Sequence, residues 1–345
     1  MCSAKGKDGI MKETKHPRFA ITMGDPAGIG PEIALKALSS PSVSPDGDLF
    51  VIGDFNVLQH NLNLVTGWND LHEMASVDDF EQGCLNVLSM NRVTFKDLQT
   101  GKPSAACGAA SYAYLTKGID LCLENKIAGI ITNPISTESF HLAGIAFRDQ
   151  TQILSEKTGV RDFSMMYGVE DVYTMLVTSH VSVRLAIDLI TRERVLKNVI
   201  LFHKSLRCLG IAKPRIAVAG LNPHAGENGL FGDEEIRFIS PAIEDAKKLG
   251  IEVTGPCPPD TVFMRAFRGE FDGVVSMLHD QGFGSLKSRN FEEGINITVG
   301  LPLVRTSVGH GTAFDIAGKG MASEVSLVGA IKAAEMLWKN REAKV

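Results

Sequence analysis

The chain has 345 residues, 44% of them hydrophobic and 22% charged, with a formal net charge of -5. That length supports two packed domains, and the composition excludes a disordered or fibrous protein. The acidic balance, with no cluster of Lys and Arg, argues against a nucleic-acid footprint, and no apolar stretch reaches the ~18 residues of a membrane span.

The polar start, Met1 to Pro17, lacks the apolar region of a signal peptide and is expected to be a flexible extension. Phe19 to Met23 reads as a first strand, followed by a Gly-Pro turn and a helix with Pro31 at its first position. Apolar runs at Leu49 to Ile52 and Ile127 to Thr132 alternate with a helical pattern over Ala109 to Glu124, the rhythm of an α/β fold. Val274 to Met277 continues it. A final helix over Glu324 to Lys339 carries Val325, Leu327, Val328, Ile331, Ala334 and Leu337 at the spacing of a core-facing stripe. The six cysteines form no CxxC pair, so they offer neither a disulfide framework nor a thiolate zinc site, and a reducing cytoplasm fits best.

Three apolar runs end in histidine: Val172 to His180, Ile216 to His224, and Val274 to His279 with Asp280, Gln281 and Gly282 following. Each reads as a buried strand of a mostly parallel sheet, and ligand sites in such folds gather at the carboxyl ends of strands. Neutral imidazole is a common ligand for divalent metals, and three protein ligands with an open position mark a catalytic site. One metal held by His180, His224 and His279 is therefore expected. Asp280 stands beside a candidate ligand and is placed to coordinate or orient it. Lys287, Asn296 and Arg305 follow closely and suit a phosphate or carboxylate, the arginine through its bidentate fork.

Two further segments join a strand to a helix. Met23 to Glu32 has glycines at 24, 28 and 30, which do not make the GxGxxG dinucleotide fingerprint, and an anion site and a plain turn are equally weighted. Asn222 to Glu235 packs a His, three glycines and four carboxylates into one loop; its first half reads as a site, and Asp233 and Glu234 read as caps of the next helix.

GDPAGIGPE, NPHAGENGLFGDEE, GPCPPDT, HDQG, NITVGLPLVRTS and HGTAFDIAG together resemble the PdxA family, the 4-hydroxythreonine-4-phosphate dehydrogenases and their relatives, from about Arg18 to the C-terminus. The resemblance implies the fold of isocitrate and isopropylmalate dehydrogenases: two α/β/α domains, here residues 18–135 plus 300–345 and residues 136–299, with the active site in the cleft between them. It also implies a homodimer with shared sites, metal on His180, His224 and His279, and substrate on Lys287, Asn296 and Arg305. The implied chemistry is NAD-dependent oxidation of a hydroxyl β to a carboxylate, giving a 3-keto acid that loses carbon dioxide. Asp260, Asp280 and Lys287 are the candidates for supporting the metal or moving protons. Three imidazoles suit zinc, while substrate oxygens completing the shell would admit magnesium, manganese or cobalt.

The chain departs from the family pattern where the family's Gly-His-Thr-Glu becomes Asp149-Gln150-Thr151-Gln152. Gln150 and Thr151 are expected to contact substrate. Thr137 replaces a lysine in the family's Pro-Leu-Asn-Lys, and Arg148 supplies a cation nearby, as though the contact had moved. Gly309 stands where many relatives carry Asp, a form similar to dehydrogenases of cis-dihydrodiol carboxylates. The remaining motifs look closest to relatives acting on 4-phospho-D-threonate and 4-phospho-D-erythronate, so a phosphorylated four-carbon hydroxy acid is the leading substrate class. A metal-dependent hydrolase and a non-catalytic sensor of phosphorylated acids are the competing readings.

Overall fold

The computed structural model describes residues 16–43, 47–65 and 71–341. The expected extension lies outside them except for His16 and Pro17. Twelve strands among these residues make one sheet: β1 Arg18–Thr22, β2 Asp48–Gly53, β3 Leu71–Met74, β4 Leu85–Ser89, β5 Gly129–Thr132, β6 Ser164–Val169, β7 Val172–Leu176, β8 Ile216–Ala219, β9 Val253–Cys257, β10 Gly273–Ser276, β11 Ile295–Val299 and β12 Val304–Val308. Their order is β3-β4-β2-β1-β5-β12-β11-β6-β7-β10-β8-β9. β11 runs antiparallel to β12 and to β6, and β6 antiparallel to β7; every other neighbouring pair is parallel.

The sequence-expected elements form with small boundary shifts. The helix expected over Ala109 to Glu124 spans Ala105–Leu123, with Ser104 accepting from the Cys107 N–H at its start, and the last helix spans Val325–Lys339. The two faces of the sheet are covered by different helices because successive strand residues point opposite ways. On the front, Gly118 of the helix Ala105–Leu123 lets that helix settle on Thr22, Ile52 and Ile130, and Gly282 of the helix His279–Arg289 settles on Thr174, Leu176 and Ser276. On the back, Thr306 donates to the carbonyl of Ala330 in the last helix, and Phe202 of the helix Arg192–Cys208 lies against Gly273. Strands covered on both faces are largely apolar, as Phe19, Ile21, Phe50, Ile52, Ile130 and Ile131 show by full burial.

The segment from Met23 to Glu32 is a structural turn. It is buried along its whole length, and its N–H groups are spent internally: Asp25 on Pro134 O, Gly28 on Asp25 O, Ile29 on Thr312 O and Ala27 on the Asp25 carboxylate. Gly24 is required there, with φ +75° and with any Cβ only 2.4 Å from Pro134 O.

Candidate active site

Strand register places a row of polar side chains on the front of a largely apolar sheet. Thr132 of β5 pairs with Ser307 of β12, Arg305 of β12 with Thr298 of β11, Ser307 with Asn296, Asn296 with Tyr167 of β6, and Tyr167 with Thr174 of β7. Directly paired residues share a face, as do residues two apart on one strand, so these seven side chains line one surface.

Arg305 is the charged member of this row and is 5% exposed. Its Nη1 donates to Thr298 Oγ1 at 2.9 Å, and Nη2 donates to Thr132 Oγ1 and to Gln150 Oε1, each at 3.0 Å. All three acceptors are neutral, no carboxylate lies at ion-pair distance among the described residues, and Nε has no partner. Burial draws the guanidinium down to about 10 against the opposing influence of the Asp149 charge, so it is cationic at neutral pH. A buried cation bonded only by neutral groups is costly, and an incoming anion relieves the cost.

The first turn of the helix Gln150–Thr158 connects this arginine to the histidines. Gln150, 8% exposed, uses Oε1 on Arg305 and donates Nε2 to Asn133 O at 2.9 Å. Its neighbour Asp149 caps the helix by accepting from the Gln152 N–H at 2.9 Å, accepts from Thr151 Oγ1 at 2.5 Å, and reaches His180 Nδ1 at 3.2 Å. Burial acts to raise the Asp149 carboxyl, but the hydrogen bonds from His180, Thr151 and the Gln152 N–H outweigh it and hold the group well below the usual carboxylate range. The same bond to Asp149 raises His180 despite partial burial. Asp149 was not foreseen as a site residue; its signal in the sequence is only that of an N-cap.

β7, β10 and β8 are adjacent and parallel, so the three histidine-bearing loops leave the same edge of the sheet. His180 and His279 come together, with ring centres 5.8 Å apart, beside a cavity of about 260 Å³ that both line. Two imidazoles on one tetrahedral metal through ~2.1 Å bonds would place their ring centres about 5–6 Å apart. Each Nδ1 faces a carboxylate, Asp149 for His180 and Asp280 at 2.7 Å for His279, an arrangement that orients metal-binding imidazoles through the other nitrogen. His224 stands apart, exposed and 6.1 Å from the Phe231 ring, and no three His, Cys, Asp or Glu side chains form a metal-ligating group among the described residues. The donor chemistry fits a divalent metal at the His180–His279 pair, with His224 one strand away.

His224 opens an unusual loop. Five consecutive residues, His224 to Asn228, have left-handed backbone angles, and His180 also has φ +53°. Four of the five are not glycine, at a cost of roughly 1–2 kcal/mol each. The loop is held by Glu235, buried, whose carboxylate accepts from the Leu221 and Asn222 N–H groups at 2.7 and 2.8 Å and from Asn222 Nδ2 at 2.9 Å. Glu234 also accepts from Asn222 Nδ2, at 2.7 Å, and makes no capping bond to the next helix, contrary to the sequence expectation. The strained loop takes up its acceptors instead.

The remaining expected residues are dispersed. Lys287 points among Tyr167, Phe283 and Phe291, with Nζ 5.5 to 5.9 Å from the three ring centres. Asn296 donates to Val308 O at 2.9 Å and leaves Oδ1 without a partner. Asp260 is exposed after β9, and Arg148 is exposed with no ion pair among the described residues. Thr137 donates to the Arg148 carbonyl, so those two positions are tied through backbone. Gly309 has a packing role: Tyr167, fully buried, directs its hydroxyl to within 2.5 Å of where a Cβ at 309 would lie.

The model of the family described as pyridoxal phosphate biosynthetic protein PdxA matches residues 46–334. The chain belongs to the PdxA family. A PdxA relative from Fusobacterium nucleatum, provisionally named D-threonate 4-phosphate dehydrogenase, is 42% identical over 319 residues, covering 92% of this chain and 96% of the relative. The structure of 4-hydroxythreonine-4-phosphate dehydrogenase from Klebsiella pneumoniae superposes with a TM-score of 0.81 at 39% identity, covering 95% of this chain and 99% of that one. A terephthalate 1,2-cis-dihydrodiol dehydrogenase from Burkholderia xenovorans gives a TM-score of 0.65 at 25% identity over 93% of this chain and 98% of that one. A β-decarboxylating dehydrogenase from Thermococcus kodakarensis, at 17% identity and a TM-score of 0.51 over 93% of this chain and 82% of that one, shares the fold.

Proposed function

We propose that the protein is a metal-dependent, NAD-linked dehydrogenase that oxidises the 3-hydroxyl of a phosphorylated four-carbon hydroxy acid, of the 4-phospho-D-threonate or 4-phospho-D-erythronate type, and releases carbon dioxide from the 3-keto acid. The observation that carries this reading is the buried Arg305 cation without a carboxylate partner, joined by the turn Asp149–Gln150 to the His180–His279 pair. Relatives named as dehydrogenases of threonate and hydroxythreonine phosphates support it.

In this reading Arg305 and Asn296 bind the acidic groups of the substrate, with Lys287 supplying further positive charge. His180, His224 and His279 would hold a divalent ion, zinc first among the candidates, with Asp149 and Asp280 orienting two of the rings. Bound there, such an ion would supply Lewis-acid stabilisation of developing oxygen charge, and NAD would accept the hydride while the hydroxyl proton leaves to solvent or to Asp260 or Lys287. Residues 18–135 plus 300–345 and residues 136–299 act as two domains about the β12–β11 junction. The exposed apolar residues Val181, Val183 and Leu185 after His180 and Leu230, Phe231 and Ile236 after His224 support a homodimer that buries both histidine loops. The free cysteines among the described residues accord with a cytoplasmic location.

The test is reduced-nicotinamide absorbance with metal-loaded protein and four compounds: 4-phospho-D-threonate, 4-phospho-D-erythronate, 4-hydroxythreonine 4-phosphate and a cis-dihydrodiol carboxylate. Turnover of a phosphorylated acid, abolished by chelator, is the expected result; turnover of the dihydrodiol alone, or of none, overturns the reading. Gly309 lends the dihydrodiol no separate support, because Tyr167 accounts for it.

A further inference from the structure

We propose that Gln150 is a positioning residue that acts on an anionic ligand only through Arg305. This rests on the reading above, in which Arg305 receives an acidic group of the substrate. Gln150 occupies the position where the family resemblance places a substrate-touching histidine, yet both ends of its amide are committed to protein. Oε1 accepts from Arg305 Nη2 at 3.0 Å, and Nε2 donates to the Asn133 carbonyl at 2.9 Å. The side chain is thus a strut from the backbone at the end of β5 to the guanidinium.

A strut is needed because Arg305 lacks the usual means of fixing a buried guanidinium. Its other contacts are the hydroxyls of Thr298 and Thr132, which can rotate and can donate as well as accept. An amide oxygen accepts only. Held by Thr298, Thr132 and Gln150, the plane of the fork is determined by three of its five N–H groups, and the two that remain, on Nε and Nη1, are uncommitted. Neutrality also matters: a carboxylate at this position would satisfy the arginine and cancel the charge that draws the ligand. Gln150 therefore supplies orientation without neutralisation, and Asp149, one residue earlier, directs its carboxylate to His180.

The experiment is titration of the full chain with inorganic phosphate, read by the phosphate-dependent rise in melting temperature, together with crystal structures of wild type and Gln150→Met. The expected result is a roughly 5–20-fold loss of phosphate affinity in Gln150→Met with the Arg305 guanidinium rotated or disordered, in line with the effect of misplacing a binding group. In turnover the same variant raises KM and leaves kcat within about twofold, the signature of lost uniform binding. An equal loss with Arg305 unmoved would mean that Gln150 touches the ligand through its second amide hydrogen, and would overturn the proposal. So would unchanged affinity, or wild type that binds no phosphate. Gln150→Ala serves if the Met variant does not fold. Because the titration needs no turnover, failure of the dehydrogenase assay alone counts against the functional reading and not against the strut.

Discussion

Tyr167 and Gly309 are sterically complementary: an ideal Cβ on Gly309 would lie 2.5 Å from the Tyr167 hydroxyl and 2.5 Å from the Gly294 carbonyl oxygen. The hydroxyl itself is buried without a hydrogen-bond partner, and burial pushes its pKa up to about 12. Gly309→Ala is therefore expected to destabilise the protein by about 1–3 kcal/mol through overpacking. Tyr167→Phe removes one of the two nearest atoms and an unsatisfied polar group, so it should be neutral or stabilising alone and should recover part of the Gly309→Ala loss, the Gly294 carbonyl contact remaining. Urea denaturation of the four proteins of this double-mutant cycle measures the coupling; additivity would show that the two residues do not share the space.

Asp149 joins helix capping to imidazole orientation, and two substitutions separate these roles. Asn is as good a cap as Asp, so Asp149→Asn should cost less stability than Asp149→Ala, losing only the carboxylate's charge interactions, while weakening divalent-metal affinity about 10–100-fold. Asp149→Ala should show the same metal defect and lose about 1 kcal/mol of stability besides. Calorimetric zinc titration and thermal melting separate the two outcomes.

Glu235 satisfies three N–H donors beneath the left-handed loop that carries His224. Asn222 Nδ2 keeps Glu234 as an acceptor, but Glu235→Ala leaves the Leu221 and Asn222 backbone N–H groups unpaired and should cost about 2–5 kcal/mol at the level of ~1–3 kcal/mol per buried unsatisfied group. The loop should then relax toward ordinary backbone angles and become the first site of limited proteolysis, while Glu235→Gln, which keeps an acceptor, should be cut more slowly.

Asp25 is a fully buried carboxyl whose Oδ2 has no partner. Burial raises its pKa above the ordinary 3.8, outweighing the lowering influence of the nearby Ser139 hydroxyl and of the hydrogen bond from the Ala27 N–H. A group with a raised folded-state pKa contributes stability that is fully present below its unfolded value and is lost as pH rises through the folded one. Asp25→Asn, which cannot ionise, should therefore gain stability relative to wild type as pH rises from about 4, the unfolded carboxylate range. Denaturation at several pH values, compared as a difference between the two proteins, tests this; a constant difference would place the Asp25 pKa at its ordinary value.

Much of the scaffold was legible in local sequence. The runs ending at His180, His224 and His279 became β7, β8 and β10, because apolar β-branched stretches between turn residues have few alternatives to a buried strand. The Met23 to Glu32 segment was ambiguous, since glycines mark both ligand loops and tight turns; only the internal use of its N–H groups decides for a turn. The assignment of Glu234 as a cap failed because capping was inferred from sequence position, whereas the acceptor demand came from a strained loop twelve residues earlier.

What the sequence by itself determined is the set of periodic elements, the family motifs and the kinds of chemistry available at each strand end. Alternation within Asn296-Ile297-Thr298 already put polar residues on one face, since strand geometry has a period of two, whereas Arg305-Thr306-Ser307 is polar on both. The tertiary structure alone decided which faces meet. Register set Arg305 beside Thr298, and chain crossover brought Gln150 to Arg305 across 155 positions and Asp149 to His180. Such contacts depend on how distant segments pack, a property of the whole chain's burial of apolar surface that no local pattern encodes.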